Sequence, residues 1–335
     1  MSSSKQELPC LAFHCRDRHS TALYTVPEEN LMVALNASDK EEALRNKTIC
    51  PTARGLLLAR DPNTMATFLW RPEDGDQIHL PPLEGLDDGV LVHSHCVLSD
   101  EPSAPGCVVL LVEGCDDTFL WYCRPGDDAW VKHEYDVGTI TLPYEYQGSN
   151  HLKIPICPVA ACRGKFYFNG GPDEDLGVLE FCPDPVFTSI AIDDSYESGD
   201  DEEGHHEDEE YRPNPGALGF LVESGDELYS VTLLFASLSS NKIDEGFVQK
   251  MDFSARRWRH VHDLGGRTFL VSSFYFGASC YGGGEGGLRQ DCVYFLNPYK
   301  EMQVFNVKED TNEVHRLDEA PQFDKAFWLL PSTSP

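Results

Sequence analysis

A two-strand pattern that occurs twice in the chain constrains its fold more than any other sequence feature. Residues 67–83, TFLWRPEDGDQIHLPPL, and residues 118–135, TFLWYCRPGDDAWVKHEY, both read as a strand, an Arg and a Pro, an acidic turn with Gly, and a second strand. A weaker third copy runs from ELYSVTLL to FVQKMDFSARRWRHVHDL. These hairpins recur at separations of about 50 residues, which is typical of the blades of kelch-like and WD-like propellers.

Strand signals also dominate the rest of the chain. Short runs of β-branched, aromatic and leucine residues recur between clusters of Gly, Pro, Asn and Asp, as expected for strands and turns. The best helix candidate is SDKEEALRNK at residues 38–47, where Ser38 or Asp39 could cap two turns. The sequence shows no alternation of strands and helices, which argues against a nucleotide-binding α/β sheet. A single β-sandwich would need about twice the usual number of strands.

The repeat length predicts an all-β propeller. Dividing the chain length by this repeat length favours six four-stranded blades, with five or seven as alternatives. The apolar C-terminal run KAFWLLP and the N-terminal run LPCLAFHC have no local strand partners. We expect both to complete one shared blade, because ring closure removes exposed sheet edges. The prediction is one propeller domain at residues 9–330, with flexible ends at 1–8 and 331–335.

The charge of the chain excludes some partners. It has 56 acidic and 26 basic side chains and a formal net charge of −30. Nucleic acids and anionic lipids are bound through Lys and Arg, so we expect neither nucleic acid nor a membrane as a partner. No window has the apolar length of a membrane span, and MSSSKQELPC lacks the apolar region of a signal peptide. We expect a monomer in the cytoplasm, the nucleus or both.

The twelve cysteines do not indicate a metal site. No CxxC pair occurs, and the closest pairs, Cys10 with Cys15 and Cys157 with Cys162, are too widely spaced for a zinc knuckle. Most others lie in or beside apolar strand-like runs, where free cysteine behaves as a small buried hydrophobe. These cysteines are Cys96, Cys107, Cys123, Cys182 and Cys292. We therefore expect a reducing compartment, and neither a metal nor a cofactor.

An acidic stretch at residues 193–210, DDSYESGDDEEGHHEDEE, has eleven acidic residues in eighteen. Self-repulsion and the lack of apolar side chains predict a disordered loop inserted between two strands. It is either a solvated insertion, a docking surface for a basic partner, a weak metal trap through His205 and His206, or an acidophilic kinase target at Ser198. The candidate partner contacts in it are Asp200, Asp201, Glu202, Glu203, Glu207, Asp208, Glu209 and Glu210.

No catalytic motif is evident. The glycine run at residues 282–287 lacks the Lys and Ser or Thr of a phosphate loop and leads into the strand DCVYFL, which predicts a flexible connection between strands on the rim. GxSxG and HExxH motifs are absent. A pair of carboxylates at the channel mouth, as in propeller glycosidases, stays an alternative. Core packing is the favoured role of the five tryptophans, and Trp130, beside an acidic turn, is a candidate partner contact on the rim.

Six motifs in order carry a family resemblance. They are RGLLLARDPNTMATFLWRPEDGDQIHLPPL, HCVLSDEPSAPGCVVLLVEG, RGKFYFNG, GFLVESGDELYSVTLL, FVQKMDFSARRWRHVHDLGGRTFLVSSFYFGASC and DCVYFL. Together they resemble the plant family catalogued as domain of unknown function 295, a kelch-related, KIB-type β-propeller family, over about residues 8–330. Many members of that family carry an N-terminal F-box that docks on Skp-type adaptors of cullin ubiquitin ligases. The best understood members hold shaggy-like kinases.

The resemblance implies a non-enzymatic, protein-binding propeller similar to the substrate-recognition domain of plant F-box proteins. Strand-like runs begin by residue 9, so we expect a chain without the F-box, acting as a scaffold or competitor in ubiquitin-ligase or kinase signalling. The expected partner is another protein, such as a kinase or a ubiquitin-ligase substrate. The alternatives are a hydrolase with carboxylates at the channel mouth and an organelle-associated accessory protein. The resemblance carries over no catalytic residues.

Overall fold

The computed structural model describes residues 9–15, 20–25, 33–34, 44–114, 118–146, 149–169, 175–193, 216–235, 242–272, 276–282, 288–297, 300–317 and 320–331. Their strands form seven sheets, and six of these follow one another around a ring. Each of these six sheets contacts both of its neighbours through its inner strands, and the last sheet contacts the first. The predicted six-bladed β-propeller is confirmed.

Four blades are antiparallel sheets of four consecutive strands, numbered outward from the ring axis. Blade 2 contains β4 (Thr48–Pro51), β5 (Leu57–Arg60), β6 (Thr67–Trp70) and β7 (Gln77–Leu80). Blade 3 contains β8 (His95–Leu98), β9 (Val109–Val112), β10 (Phe119–Cys123) and β11 (Val131–Glu134). Blade 4 contains β14 (Val159–Cys162), β15 (Lys165–Phe168), β16 (Leu176–Phe181) and β17 (Pro185–Ile190). Blade 5 contains β18 (Gly216–Ser224), β19 (Glu227–Phe235), β20 (Ile243–Asp252) and β21 (Arg257–Val261).

Blade 1 joins the two ends of the chain. Its order is β27 (Lys325–Leu329), β1 (Cys10–Cys15), β2 (Ser20–Thr25) and β3 (Val33–Ala34). Leu11 pairs with Trp328 on one side and with Tyr24 on the other. Successive side chains of a strand point to opposite faces, so Phe327 packs with residues of blade 2 whereas Trp328 packs with residues of blade 6. The predicted shared blade is confirmed.

Blade 6 differs from the predicted four-stranded pattern. Its order is β23 (Phe276–Tyr281), β22 (Arg267–Ser272), β24 (Cys292–Leu296), β25 (Glu301–Asn306) and β26 (Thr311–Arg316). Strands β22 and β24 are parallel, and β23 lies at the sheet edge against β18. A Cβ atom on Gly277 of β23 would lie 2.6 Å from the carbonyl oxygen of Leu221. Glycine at this position permits the close approach of the extra strand.

Within the described residues, two further elements lie outside the repeat. A hairpin of β12 (Thr139–Tyr146) and β13 (Ser149–Lys153) lies between blades 3 and 4 in the sequence. Helix α1 (Asp88–His93) precedes blade 3, and the Asp87 side chain caps it by accepting a hydrogen bond of 2.7 Å from Gly89 N. Most of the helix predicted at residues 38–47 falls outside the described residues.

The cysteines follow the expectation with one exception. In the described part of the chain the cysteines are not in disulfide bonds. Cys96, Cys107, Cys123 and Cys292 are buried, but Cys182 is exposed because it lies in the turn between β16 and β17. The expectation of burial is wrong for Cys182. No helix in the described ranges is long and apolar enough to cross a membrane.

Candidate functional site

A pocket of about 900 Å³ lies beside blades 4 and 5. We call it the blade 4–5 pocket. Its volume falls within the usual range for ligand and peptide side-chain sites. The apolar part of its wall comes from the β12–β13 hairpin and the segment after it, from blade 4, and from the start of blade 5. These wall residues include Ile140, Ile154, Pro155, Phe168, Phe187, Ala217 and Phe220.

Hydrogen bonds fix the wall segment at residues 155–157. Asn169, at the end of β15, has a φ of 51°, a left-handed conformation that asparagine tolerates well. Its Nδ2 donates to the Pro155 carbonyl at 2.7 Å, and its Oδ1 accepts from Cys157 N at 2.8 Å. The hydroxyl of Tyr135 accepts from Ile156 N at 3.1 Å. The residues that follow β15 of blade 4 and β11 of blade 3 therefore hold this segment in place.

Two strand glycines shape the pocket. Gly177 of β16 pairs with Phe168 of β15, and a Cβ atom on Gly177 would lie 2.3 Å from the Phe168 ring. The missing side chain lets this ring lie over the neighbouring strand. Gly219 of β18 also lines the pocket, and a Cβ atom there would have no atom within 4 Å. Glycine within a strand often marks a site where a ligand or another backbone approaches.

The charges that line the pocket are negative. Asp136 and Asp175 are exposed lining residues, and no Lys, Arg or His lines the pocket in the described part of the chain. Asp136 Oδ1 accepts from Gly138 N at 3.0 Å, and Asp175 Oδ2 accepts from the Ser189 hydroxyl at 3.3 Å. Two carboxylates beside apolar walls favour a cationic group carried next to apolar ones.

The structure places the predicted contact Trp130 in the interior. Only 8% of its surface is exposed, and it packs with residues of blades 2 and 3. Its Nε1 donates to the Pro81 carbonyl at 2.9 Å. The prediction that Trp130 is a partner contact on the rim is therefore wrong, because its ring fills the space between two blades. Trp70, Trp121 and Trp328 are buried as well, as predicted for core packing.

The other predicted partner contacts and the predicted phosphorylation site belong to the acidic stretch. Ser198 and the eight acidic residues from Asp200 to Glu210 lie outside the described residues. Asp193, where the acidic stretch begins, donates its N–H to the Arg256 carbonyl at 2.7 Å. The chain on either side of the undescribed residues 194–215 belongs to β17 and β18, and Ser189 and Ala217 of these strands line the pocket. In the sequence, the acidic segment therefore lies between two strands that line the pocket.

The glycine run connects two strands, as predicted. It follows β23, which ends at Tyr281, and precedes β24, which begins at Cys292. Gly282 donates its N–H to the Gly266 carbonyl at 3.0 Å. Residues 283–287 lie outside the described part of the chain.

The strands nearest the ring axis carry few acidic side chains. Across β27, β4, β8, β14, β18 and the β22–β23 pair, the described sequence contains one carboxylate, Glu223. Burial raises the pKa of this group. A glycosidase of the expected type needs two carboxylates that face each other across the substrate.

Sequence reasoning did not find the blade 4–5 pocket. Its lining residues extend from Asp136 to Thr232 and come from separate elements, so no local pattern groups them. The available signals were Gly177 and Gly219, which interrupt strand runs in the sequence.

Known structures resemble the chain only distantly. A structure from a study of two prolyl endopeptidases is 15% identical, with a TM-score of 0.35, and is matched over 96% of this chain and 42% of that one. The chain therefore spans less than half the length of that endopeptidase. A Lactobacillus plantarum protein is 8% identical over 97% of this chain and 100% of its own, with a TM-score of 0.37. The Myceliophteria thermophila Cps50 (Swd1) β-propeller domain is 10% identical over 93% of this chain and 98% of its own, with a TM-score of 0.29.

A family match is more informative than these structures. No curated protein matches the chain. The family model of the KIB1-4 beta-propeller matches residues 23–306, which cover blades 2 to 5, most of blade 6 and the outer part of blade 1. The match extends over well more than half of the 335 residues, and the strands form the corresponding propeller. The chain belongs to the KIB1-4 β-propeller family.

Proposed function

We propose that this propeller is a non-enzymatic protein-binding domain and that the blade 4–5 pocket receives a segment of its partner. The observation that carries the proposal is the combination of apolar walls with Asp136 and Asp175 as the charged lining residues. The fitting segment has a Lys or Arg flanked by apolar side chains. The lone carboxylate on the described inner strands supports binding over glycoside hydrolysis.

The acidic stretch at residues 193–210 would favour a basic partner, as the two pocket carboxylates do. Its carboxylates from Asp200 to Glu210 would attract a basic partner and raise its association rate, an effect that salt weakens. Phosphorylation of Ser198 would add negative charge beside them. Replacing the eight acidic residues by Asn and Gln should slow association at low salt and leave dissociation nearly unchanged.

The proposed cellular role is that of a scaffold or competitor in ubiquitin-ligase or kinase signalling, in the cytoplasm or the nucleus. Membership in the KIB1-4 family supports this role, together with the motif resemblance described above. The proposed partner is a kinase or a ubiquitin-ligase substrate. Affinity purification from native tissue tests the role, with a pocket variant as the control. A kinase recovered by the native protein and not by the variant would support a scaffold, whereas recovery of cullin and Skp-type proteins would indicate a ligase subunit.

Peptide display on the purified full-length protein tests the pocket itself. We expect enrichment of peptides with Lys or Arg next to aliphatic or aromatic residues. Asp136→Lys with Asp175→Lys should weaken their binding at least about tenfold, which corresponds to about 1.4 kcal/mol. The matched control is Glu73→Lys with Glu309→Lys, which makes the same charge change at exposed positions on blades 2 and 6.

A second variant tests the pocket by shape. Gly219→Leu should abolish binding and preserve the fold, because its side chain would enter empty space. Enrichment of acidic peptides, or equal affinities for the pocket variant and the control variant, would contradict the proposal.

A further inference from the structure

A buried amine and a buried thiol meet where blades 1, 2 and 3 join. Lys325 of β27 is 3% exposed, and Cys50 of β4 is fully buried. Lys325 Nζ lies 3.8 Å from Cys50 Sγ, and both groups donate to the carbonyl of Ser94, each at 3.1 Å. The pair therefore connects the inner strand of blade 1 with the inner strand of blade 2.

The surroundings favour the uncharged forms of both groups. Burial lowers the pKa of Lys325 and raises the pKa of Cys50. Burial also lowers the pKa of His95, to about 3. Cys96 of β8 is also buried near the pair, and burial raises its pKa as well. A neutral amine is a nucleophile, and it can act as a general base that accepts the proton of the adjacent thiol while the sulfur reacts.

We propose that Cys50 and Lys325 form a covalent sulfenamide cross-link when the protein meets a peroxide. The Cys50 sulfur attacks one peroxide oxygen while Lys325 Nζ accepts the thiol proton, which breaks the O–O bond and gives a sulfenic acid and hydroxide. The Lys325 ammonium returns its proton to the hydroxide, which forms water. The neutral amine then attacks the Cys50 sulfur, an S–N bond forms, and the sulfenic hydroxyl leaves with an amine proton as a second water.

The electrons balance in this sequence. One thiol, one amine and one hydrogen peroxide give one sulfenamide and two waters. The sulfur is oxidised by two electrons, and the peroxide is reduced by two.

The arrangement selects this thiol over its neighbours. Among the described cysteines, Cys50 has a lysine amine in direct contact, and a sulfenic acid condenses with a nitrogen or thiol that can reach it. Closing the 3.8 Å gap requires movement of the Lys325 side chain alone, since its flexible stem has four carbons.

The cross-link would lock the ring. Cys50 and Lys325 are 275 residues apart in the sequence, and β27 holds the N-terminal strand β1 in the sheet. A covalent bond between them would fasten blade 1 to blade 2 and restrict the unfolded chain, as a disulfide does over a long loop. The closed ring would then be more stable under oxidising conditions.

The experiment treats the full-length protein with increasing hydrogen peroxide and maps its peptides by mass spectrometry. We expect one peptide pair that contains Cys50 and Lys325 and whose mass is the sum of both peptides less two hydrogens. The oxidised chain should migrate faster on a denaturing gel without reductant, and its melting temperature should rise by several degrees. A thiol reductant should reverse all three changes.

Variants separate this bond from other oxidation products. Lys325→Met keeps an unbranched apolar stem and should abolish the cross-link, as should Cys50→Ser. Cys96→Ser removes the neighbouring buried thiol and should leave the cross-link intact. If Lys325→Met does not fold, the comparison of Cys50→Ser with Cys96→Ser still decides. A disulfide at Cys50, a bridge that retains the oxygen, or oxidation of Cys50 without any cross-link would overturn the proposal.

Discussion

At the scale of single residues, a turn glycine determines how closely the chain can close on itself. Gly55, in the turn between β4 and β5, has a φ of 74°. A Cβ atom on it would lie 2.7 Å from the Pro331 carbonyl oxygen and 2.8 Å from that of Leu330. Both carbonyls follow directly after β27. Glycine is thus required here by backbone conformation and by the close approach of the C-terminal segment.

Replacing Gly55 should destabilise the protein more than replacing a glycine that has a positive φ but no close neighbour. Gly75 has a φ of 80°, and nothing would lie within 4 Å of its Cβ atom. We expect Gly75→Ala to lower the free energy of unfolding by about 1–2 kcal/mol. Gly55→Ala should lower it by a further 1–3 kcal/mol, roughly the cost of overpacking. Urea unfolding measures both, and equal losses would show that the contact with residues 330–331 is unimportant.

At the scale of elements, a buried arginine fastens helix α1 to blade 2. Arg60 of β5 is 1% exposed. It donates to the Asp88 carboxylate and to the carbonyls of Leu86, at 2.6 Å, and Leu83, at 3.3 Å. Thr48 of β4 also donates to Asp88, at 2.8 Å. These bonds satisfy the buried guanidinium and fix the segment that leads into blade 3.

Arg60→Met should therefore be strongly destabilising. We expect a loss of about 2–4 kcal/mol in the free energy of unfolding, because acceptors on Asp88, Leu86 and Leu83 lose their donor. Lys308→Met is the control, since its ion pair with Asp263 at 3.1 Å is more than half exposed on both sides. Exposed pairs contribute about 0–1 kcal/mol. Similar losses for the two variants in denaturant unfolding would contradict this role of Arg60.

Strands that match the repeated motif can be predicted from the sequence, whereas strands outside it cannot. The hairpins β6–β7 and β10–β11 carry the TFLW strands and the acidic turns, and both were predicted. Strand β14, Val-Ala-Ala-Cys, has small side chains without the leucines and aromatics that mark strands elsewhere. The parallel contact of β22 with β24 depends on long-range pairing, which no local pattern encodes.

At the scale of the whole molecule, closure of the ring depends on one strand. Phe327 and Leu329 of β27 contact blade 2, and Ala326 and Trp328 contact blade 6. The same strand supplies the sheet partner of β1. Without β27, β1 would become an exposed edge and two apolar cores would open.

A truncated chain tests this dependence. A chain that ends at Ala320 lacks β27, and we expect it to lose cooperative thermal unfolding and to aggregate. A chain that ends at Pro331 keeps β27 and every described contact of blade 1, so it should melt within about 2 °C of the full-length protein. Calorimetry on both chains measures this, and a cooperative transition in the shorter chain would show that the ring does not need its closing strand.

The sequence alone determined the all-β class, favoured six blades over five or seven, and indicated the blade shared by the two chain ends. Hydrophobic alternation, turn residues and the repeat length are properties of neighbouring residues, and they specify strands and blades locally. Only the tertiary structure decided that Trp130 is buried, that Asp136 and Asp175 line one pocket, and that Lys325 meets Cys50. Each of these arrangements joins residues that are far apart along the chain, and their distances are fixed only when the blades pack into a closed ring.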